Sequence, residues 1–266
     1  MLSVCATPIG NLEDVTLRVL RELGEADLVL CEDTRRTRIL LERHGIEARL
    51  LSYHEHNEAE RAGEVLPKLE AGERVALVSD AGLPAISDPG ARLVSAALAA
   101  GVEVTVLPGP SAVETALVAS GLVGDGYRFV GYLPRGDRAR EALWQELARR
   151  PEAVVAFESP RRLPATLASL AAAMPERRVA VCRELTKRFE EVTRGTAAEV
   201  AAVVTEPPKG EVTLVLGEVE PEAGDEEDAR TAVAELVAAG VGRRQAADVV
   251  ARLTGLSRNR LYRASL

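Results

Sequence analysis

Cysteine is scarce in this 266-residue chain, and the three present are unfit for two common roles. Cys5, Cys31 and Cys182 are odd in number, sit in separate apolar strand-like runs and show no metal-ligand spacing. A disulfide framework and a structural metal site are both excluded on that basis, and buried thiols of a reducing cytosol are expected instead. No apolar run approaches the roughly 18 residues of a membrane span, and no basic stretch followed by an apolar one opens the chain. A cytoplasmic protein without membrane or metal is the expectation. Also missing is Gly-x-Gly-x-x-Gly between the first strand and helix, and so is any Gly-Lys-Ser/Thr. Thr7-Pro-Ile-Gly10 occupies that turn, too proline-stiff for the first motif and without the lysine of the second. A ligand other than a nucleoside polyphosphate follows. Only three lysines, three asparagines and two glutamines occur, which heat adaptation and a GC-rich genome explain equally well.

Charge is present but unevenly placed. The net charge of −8 argues against a surface generally coated with nucleic acid. Residues 218–228 hold seven acids, Glu218, Glu220, Glu222, Asp225, Glu226, Glu227 and Asp228, and no base. The last 24 residues hold six arginines (Arg243, Arg244, Arg252, Arg258, Arg260 and Arg263) against Asp248. A flexible acidic segment tethering a basic tail is expected.

Apolar strand-like runs at 2–6, 27–31, 48–53, 74–79 and 102–107 alternate with helical patterns at 14–23, 34–44, 57–71, 90–100 and 111–120. Such a βαβ series calls for a parallel sheet with helices on both faces. Asn57 is placed to cap a helix with Glu60 at the capping-box position, and Gly45, Gly72, Gly101 and Gly121 stand where helices stop. Gly121–Tyr127 reads as a domain boundary. Beyond it come strands at 128–133, 153–157, 178–183, 189–194 and 211–217, with helices at 138–149, 161–173 and 196–204. Two of these strands follow each other without a helix, so antiparallel pairs enter the second sheet. Patterns at 229–239, 243–253 and 258–264 form a module of helix-turn-helix size. The fold class is α/β: two α/β domains, 1–121 with a parallel sheet and 128–220 with a mixed one, then a small C-terminal helical module at 229–266.

Three strand ends carry the chemistry. Ser79-Asp-Ala-Gly-Leu-Pro-Ala-Ile-Ser-Asp-Pro-Gly90 follows the run ending at Val78, Pro108-Gly-Pro-Ser-Ala112 follows the run ending at Leu107, and Ala6-Thr-Pro-Ile-Gly-Asn11 follows the first strand. Open parallel sheets bind ligands beyond the carboxyl ends of their strands. Glycine lets backbone approach a ligand, and proline reduces the ordering cost of binding.

Nine motifs then appear in order: Ala6-Thr-Pro-Ile-Gly-Asn-Leu12, Glu32-Asp-Thr-Arg35, His54-Glu-His-Asn57, the segment Leu77–Gly90, Leu107-Pro-Gly-Pro-Ser-Ala112, Gly131-Tyr-Leu-Pro134, Phe157-Glu-Ser-Pro-Arg161, Arg183-Glu-Leu-Thr-Lys187 and Lys209-Gly-Glu211. Over essentially its whole length the chain resembles the ribosomal RNA small subunit methyltransferase I family, within the tetrapyrrole-methylase-like superfamily (class III methyltransferases). Leu83 departs from the family, which usually has threonine there.

The resemblance implies a cytoplasmic homodimer that uses S-adenosylmethionine, held in a cleft between domains, to 2′-O-methylate a cytidine of 16S rRNA in the small ribosomal subunit. Carried over by position, Ile9, Asp80, Ala81, Gly82, Ser111 and Ala112 would meet the cofactor, with Phe157, Glu158 and Val212 from the second domain. A sulfonium with a ribose and an adenine suits carbonyls, a hydroxyl, a carboxylate and an apolar wall. Asp33 and His54 are the preferred catalytic candidates, with His56, Asp80 and Glu184 also open as bases. Arg35, Asn57, Arg258, Arg260 and Tyr262 are expected on the substrate side. Two other readings stand beside this one: a methyltransferase for a tetrapyrrole or other small molecule, and a ligand-sensing nucleic-acid-binding regulator.

Overall fold

Alternation along three short strands decides the first sheet. In β1 (Leu2–Cys5), β2 (Leu28–Cys31) and β4 (Val75–Leu77), successive side chains point to opposite faces, and nearly all are apolar. Leu2, Leu28, Leu30, Val75 and Leu77 pack on one face with α3 (Glu58–Glu70) and α4 (Ala91–Ala99), through Val65, Leu69, Leu93 and Ala97. Cys5, Val29, Cys31 and Ala76 pack on the other with α1 (Leu17–Glu25) and α2 (Thr34–Arg43), through Val19, Leu23, Leu40 and Leu41. With β3 (Leu50–Ser52) and β5 (Val104–Leu107), the five strands run parallel in the order β3-β2-β4-β1-β5. β1 and β4 are neighbours, yet the helices that follow them cover opposite faces. Doubly wound sheets take ligands in a crevice beyond the carboxyl ends of such a strand pair.

This computed structural model describes residues 1–219 and 223–264, the side chains of 223–225 excepted. The chain divides into two compact units, Met1–Thr115 with Glu184–Glu190, and Ala116–Arg183 with Glu191–Leu266. Helix α5 (Ala112–Ser120) begins in the first and ends in the second.

The second unit holds a mixed sheet in the order β6-β7-β10-β8-β9, made of β6 (Tyr127–Tyr132), β7 (Ala153–Glu158), β8 (Arg178–Arg183), β9 (Glu191–Thr196) and β10 (Val212–Leu216). Only β6 and β7 pair in parallel; β10 lies antiparallel between β7 and β8, and β9 antiparallel to β8. Helices α6 (Asp137–Leu147), α7 (Leu163–Ala173) and α8 (Ala197–Val203) close its main core around Trp144, Leu147, Leu167, Leu170, Val200 and Leu214. In the same unit α9 (Ala223–Ala238), α10 (Arg243–Thr254) and α11 (Arg258–Ala264) share a small core of Ala229, Val233, Ala246, Ala247, Val250 and Leu261. Ser257 Oγ donates to Asp125 Oδ2 at 2.6 Å, joining this module to the loop before β6.

Two local expectations are corrected. Asn57 stands at the N-cap of α3 but makes no capping bond, because its carboxamide is turned back to His54 and Ser52. The capping box lies instead at α8, where Thr196 Oγ1 accepts from Glu199 N at 3.2 Å and Glu199 Oε2 accepts from Thr196 N at 2.8 Å. The acidic stretch is not a flexible tether throughout: α9 starts at Ala223, so Glu226–Asp228 lie in its first turns, where acids complement the helix dipole. Glu220 and Glu222 lie outside the described residues. All three cysteines are buried.

Replacing Thr196 by alanine removes one half of that box and is expected to cost about 1 kcal/mol. Urea unfolding should show a lower midpoint with an unchanged slope; an unchanged midpoint would refute the capping role.

Candidate functional site

The crevice of the first unit is built by three loops fixed to one another. Thr7 N donates to Gly82 O at 2.8 Å and Gly82 N to Thr7 O at 3.0 Å, so the loops after β1 and β4 are tied as a two-residue bridge. Thr7 Oγ1 donates to Ser79 O at 3.0 Å, so even the side chain serves the tie. Gly82 has φ +81°, which explains glycine there, and the Ile9 side chain lies beside it, buried. Farther along the second loop, Ala85 and Ser87 also take positive φ, of 69° and 63°. Backbone held in that region by non-glycine residues costs about 1–3 kcal/mol each and collects at ligand sites. In the third loop a side chain at Gly109 would meet the Ala6 Cβ at 2.9 Å. Ser111 and Ala112 open α5, and the Ser111 hydroxyl bonds the Glu114 carboxylate.

Around this crevice the charge is mostly negative. Asp80 Oδ1 accepts from Asp33 N at 3.0 Å, and its Oδ2 lies 3.3 Å from Arg36 NH1. Burial, and after it the repulsion of Asp80, raises the Glu32 carboxyl above its ordinary range. Asp88 is pushed up to about 6, first by burial and then by Glu32, against a hydrogen bond from Ser79 that pulls it down. Asp33 behaves oppositely. Arg35 grips it with Nε at 3.0 Å and NH2 at 2.7 Å, and the hydrogen bonds from Arg35 lower it to about 2. Asp33 also accepts from Arg35 N at 2.9 Å as the N-cap of α2. A carboxylate so engaged is a weak proton acceptor.

His54 and Asn57 form one unit at the end of β3. Asn57 Oδ1 accepts from His54 N at 2.8 Å, while Nδ2 lies 3.2 Å from Ser52 O and 3.3 Å from His54 Nε2. With Nδ2 donating, Nε2 of His54 is the acceptor and Nδ1 carries the proton. That Nδ1 is buried without a hydrogen-bond partner in the protein. The His56 ring is edge-on at 5.9 Å.

In the second unit, Phe157 lies in an aromatic cluster, 4.9 Å from Phe129 and 5.5 Å from Tyr132 between ring centroids. The Glu158 side chain is fully buried and committed. It accepts from Thr166 Oγ1 at 2.6 Å and Ser159 N at 2.5 Å, and pairs with Arg162 at 2.5 Å. Only the backbone of Glu158 is left for a ligand. Val212 is buried at the start of β10. On α11, Arg258 and Arg260 are exposed and Arg260 lies 3.5 Å from Glu226, while Tyr262 is 38% exposed.

Two features went unread in the sequence. Asp88 stood in a motif without a role, because its perturbation needs the fold to bring Glu32 near. The segment Glu184–Glu190 belongs to the first unit although its neighbours in sequence do not. It sits on the loop after β1, where a Cβ at Gly10 would lie 2.5 Å from Lys187 Cγ. Among the described residues, no group of histidine, cysteine, aspartate or glutamate is arranged to hold a metal, and no helix is long and apolar enough to cross a membrane.

The raised Asp88 value has a sign. An acid whose folded value, about 6, exceeds its ordinary 3.8 binds its proton more tightly when folded, so its contribution to stability falls as pH rises across that window. Asp88→Asn should flatten the decline between those values and raise the melting temperature at pH 7. Identical pH slopes for the two proteins, by thermal melting, would contradict the burial described here.

Comparison with known proteins agrees with this architecture. The family model for tetrapyrrole (corrin/porphyrin) methylases matches residues 1–201, and one for the RsmI C-terminal HTH domain matches residues 223–266. Proteins named ribosomal RNA small subunit methyltransferase I are similar throughout. The one from Mesorhizobium japonicum is 44% identical over all of this chain and 91% of its own length. That from Synechocystis is 44% identical over all of this chain and 97% of its own, and that from Thermotoga maritima 45% over 81% and 97%. Among solved structures, the methyltransferase CobJ superposes with a TM-score of 0.63 at 21% identity, covering 82% of this chain and 94% of CobJ. Diphthine synthase does so at 0.62 and 15%, over 81% and 89%. At those identities the structures speak for the fold alone. Full-length similarity above 40%, together with both family models, places the chain in the tetrapyrrole methylase family, among the ribosomal RNA small subunit methyltransferase I proteins.

Proposed function

We propose that this protein transfers the methyl group of S-adenosylmethionine to the 2′-hydroxyl of a cytidine in 16S rRNA of the small ribosomal subunit. The observation that carries the reading is the carboxylate group Glu32, Asp80 and Asp88 at a crevice of the first unit, in a chain of this family. Burial first, and then the neighbouring carboxylates, raise Glu32 and Asp88, so a cation beside them would be favoured. A sulfonium with an ammonium group supplies that charge, so the residues fit the cofactor. Ile9 and Gly82 offer an apolar contact and close backbone approach, Ala81 and Ala112 backbone groups, and Asp80 and Ser111 polar side chains. Phe157, Glu158 (through its backbone) and Val212 are cofactor contacts on the strength of the family resemblance.

When bound, S-adenosylmethionine supplies an electrophilic methyl whose sulfur leaves as a neutral thioether. The protein's share is alignment, worth ~7–11 kcal/mol in a well-oriented displacement, and removal of the hydroxyl proton. Of the carboxylates, Asp33 is spent on Arg35 and on the helix start, whereas Asp88, which burial raises above the usual carboxylate range, is left to accept a proton. His54, whose Nδ1 is buried, is kept as a positioning residue at the end of β3. Arg35, whose side chain is 84% exposed, and the tail residues Arg258, Arg260 and Tyr262 would meet RNA. Asn57 keeps His54 in its tautomer. We further propose a cytoplasmic homodimer without a metal, with domains at 1–121 and 128–220 and the helix-turn-helix module at 229–266.

Labelled S-adenosylmethionine incubated with undermethylated small subunits should leave label on a cytidine ribose. No label on RNA with cofactor binding intact would end the proposal. In the same assay, with S-adenosylmethionine saturating, kcat/KM for the subunit should rise with pH on a limb below about 6, because the bound cation lowers Asp88, and Asp88→Asn should lose that limb together with roughly 10²–10⁴ of the rate. A variant with the parental profile would clear Asp88 of the role.

A further inference from the structure

The segment Glu184–Glu190 holds a feature that neither the fold nor the cofactor crevice uses. Its backbone is fixed from several sides. Glu184 and Thr186 take positive φ, of 51° and 65°, and Leu185 is buried. Thr186 N donates to Glu190 Oε2 at 2.6 Å, and Glu190 N to Lys187 O at 3.1 Å. Asn11 N donates to Thr186 Oγ1 at 3.0 Å, tying the segment to the loop after β1. From this stiff mount Phe189 projects with 64% of its surface exposed, one of only three phenylalanines in the chain. The Arg188 guanidinium lies over its ring, 5.5 Å from the centroid.

A phenyl ring this open contributes little burial to folding, and strained backbone that displays it needs another reason. Proteins that bind single-stranded nucleic acid combine an aromatic ring, on which a base stacks, with a cation for the phosphate. Rigid display lowers the entropy lost on binding. The chain's net charge of −8 makes a local cation at that ring more telling, because the average surface repels RNA. The mount adjoins the loop after β1, one wall of the cofactor site proposed above.

We propose that Phe189 stacks an unpaired nucleobase of the RNA substrate while Arg188 takes an adjoining phosphate. This rests on the rRNA reading above and adds a substrate-binding element to it.

The test is fluorescence anisotropy with a labelled single-stranded oligoribonucleotide and an abasic strand of equal length, alongside methylation of small subunits. Phe189→Ala should weaken binding of the base-containing strand about tenfold and leave the abasic strand unchanged. Phe189→Trp should restore it. Arg188→Gln should weaken both strands and reduce the salt slope by about one. KM for the subunit should rise in step, with affinity for S-adenosylmethionine unmoved. Parental binding by Phe189→Ala, an equal loss on the abasic strand, or loss of oligomer by light scattering (the ring then packing between copies) would each overturn the inference. Wild-type protein that neither methylates nor binds RNA would sink the functional reading, and this one with it. Active wild type with indifferent Phe189 variants would sink this one alone.

Discussion

Two hydrogen bonds between Thr7 and Gly82 hold the candidate site in shape. They join the loops that leave β1 and β4, the neighbouring strands whose following helices depart to opposite faces of the sheet. Without them the second loop, from Ser79 to Gly90, would rest near the sheet on the Thr7 Oγ1–Ser79 O and Asp33 N–Asp80 Oδ1 bonds. With them, the positive-φ turns at Gly82, Ala85 and Ser87 are held in place, and Asp80 and Asp88 stay near Glu32. The cost of that strain and of clustered acids is met by the two buried apolar layers on either side of the sheet.

How much of this was legible in the sequence follows from which residues act locally. Near-continuous apolar runs in 2–6, 27–31 and 74–79 named strands that the structure places within a residue or two, because both faces of a parallel sheet must be covered. The division into a parallel and a mixed sheet was readable from the missing helix between β8 and β9. Asn57 misled because its partner is the His54 backbone three residues earlier, and nothing local favours that bond over a cap. The acidic run misled because composition alone suggests a tether, whereas acids at a helix N-terminus stabilise it.

The site was legible in its loops and less so in its chemistry. Glycine and proline marked Thr7–Gly10, Ser79–Gly90 and Pro108–Ala112 as turns, and the structure has them as the loops beyond the carboxyl ends of β1, β4 and β5. The roles of the acids depend on neighbours distant in sequence. Asp33 is drawn down by Arg35 two residues on, which its motif shows. Asp88 is raised by burial and by Glu32, which no motif shows. Glu158 looked like a ligand residue but is consumed by Thr166, Ser159 and Arg162, which fix the turn after β7. Glu184–Glu190 joins the first unit only through the chain's return to it.

The acid cluster of the first unit is proposed above to receive a cationic cofactor. Calorimetric titration with S-adenosylmethionine at pH 6, in buffers of different ionisation enthalpy, tests it most directly. A cation settling beside Asp88 lowers its pKa, so Asp88 should give up a fraction of a proton to the buffer, and that release should vanish by pH 8. Binding heats that do not depend on the buffer at pH 6 would place the cofactor away from these carboxylates and contradict the account.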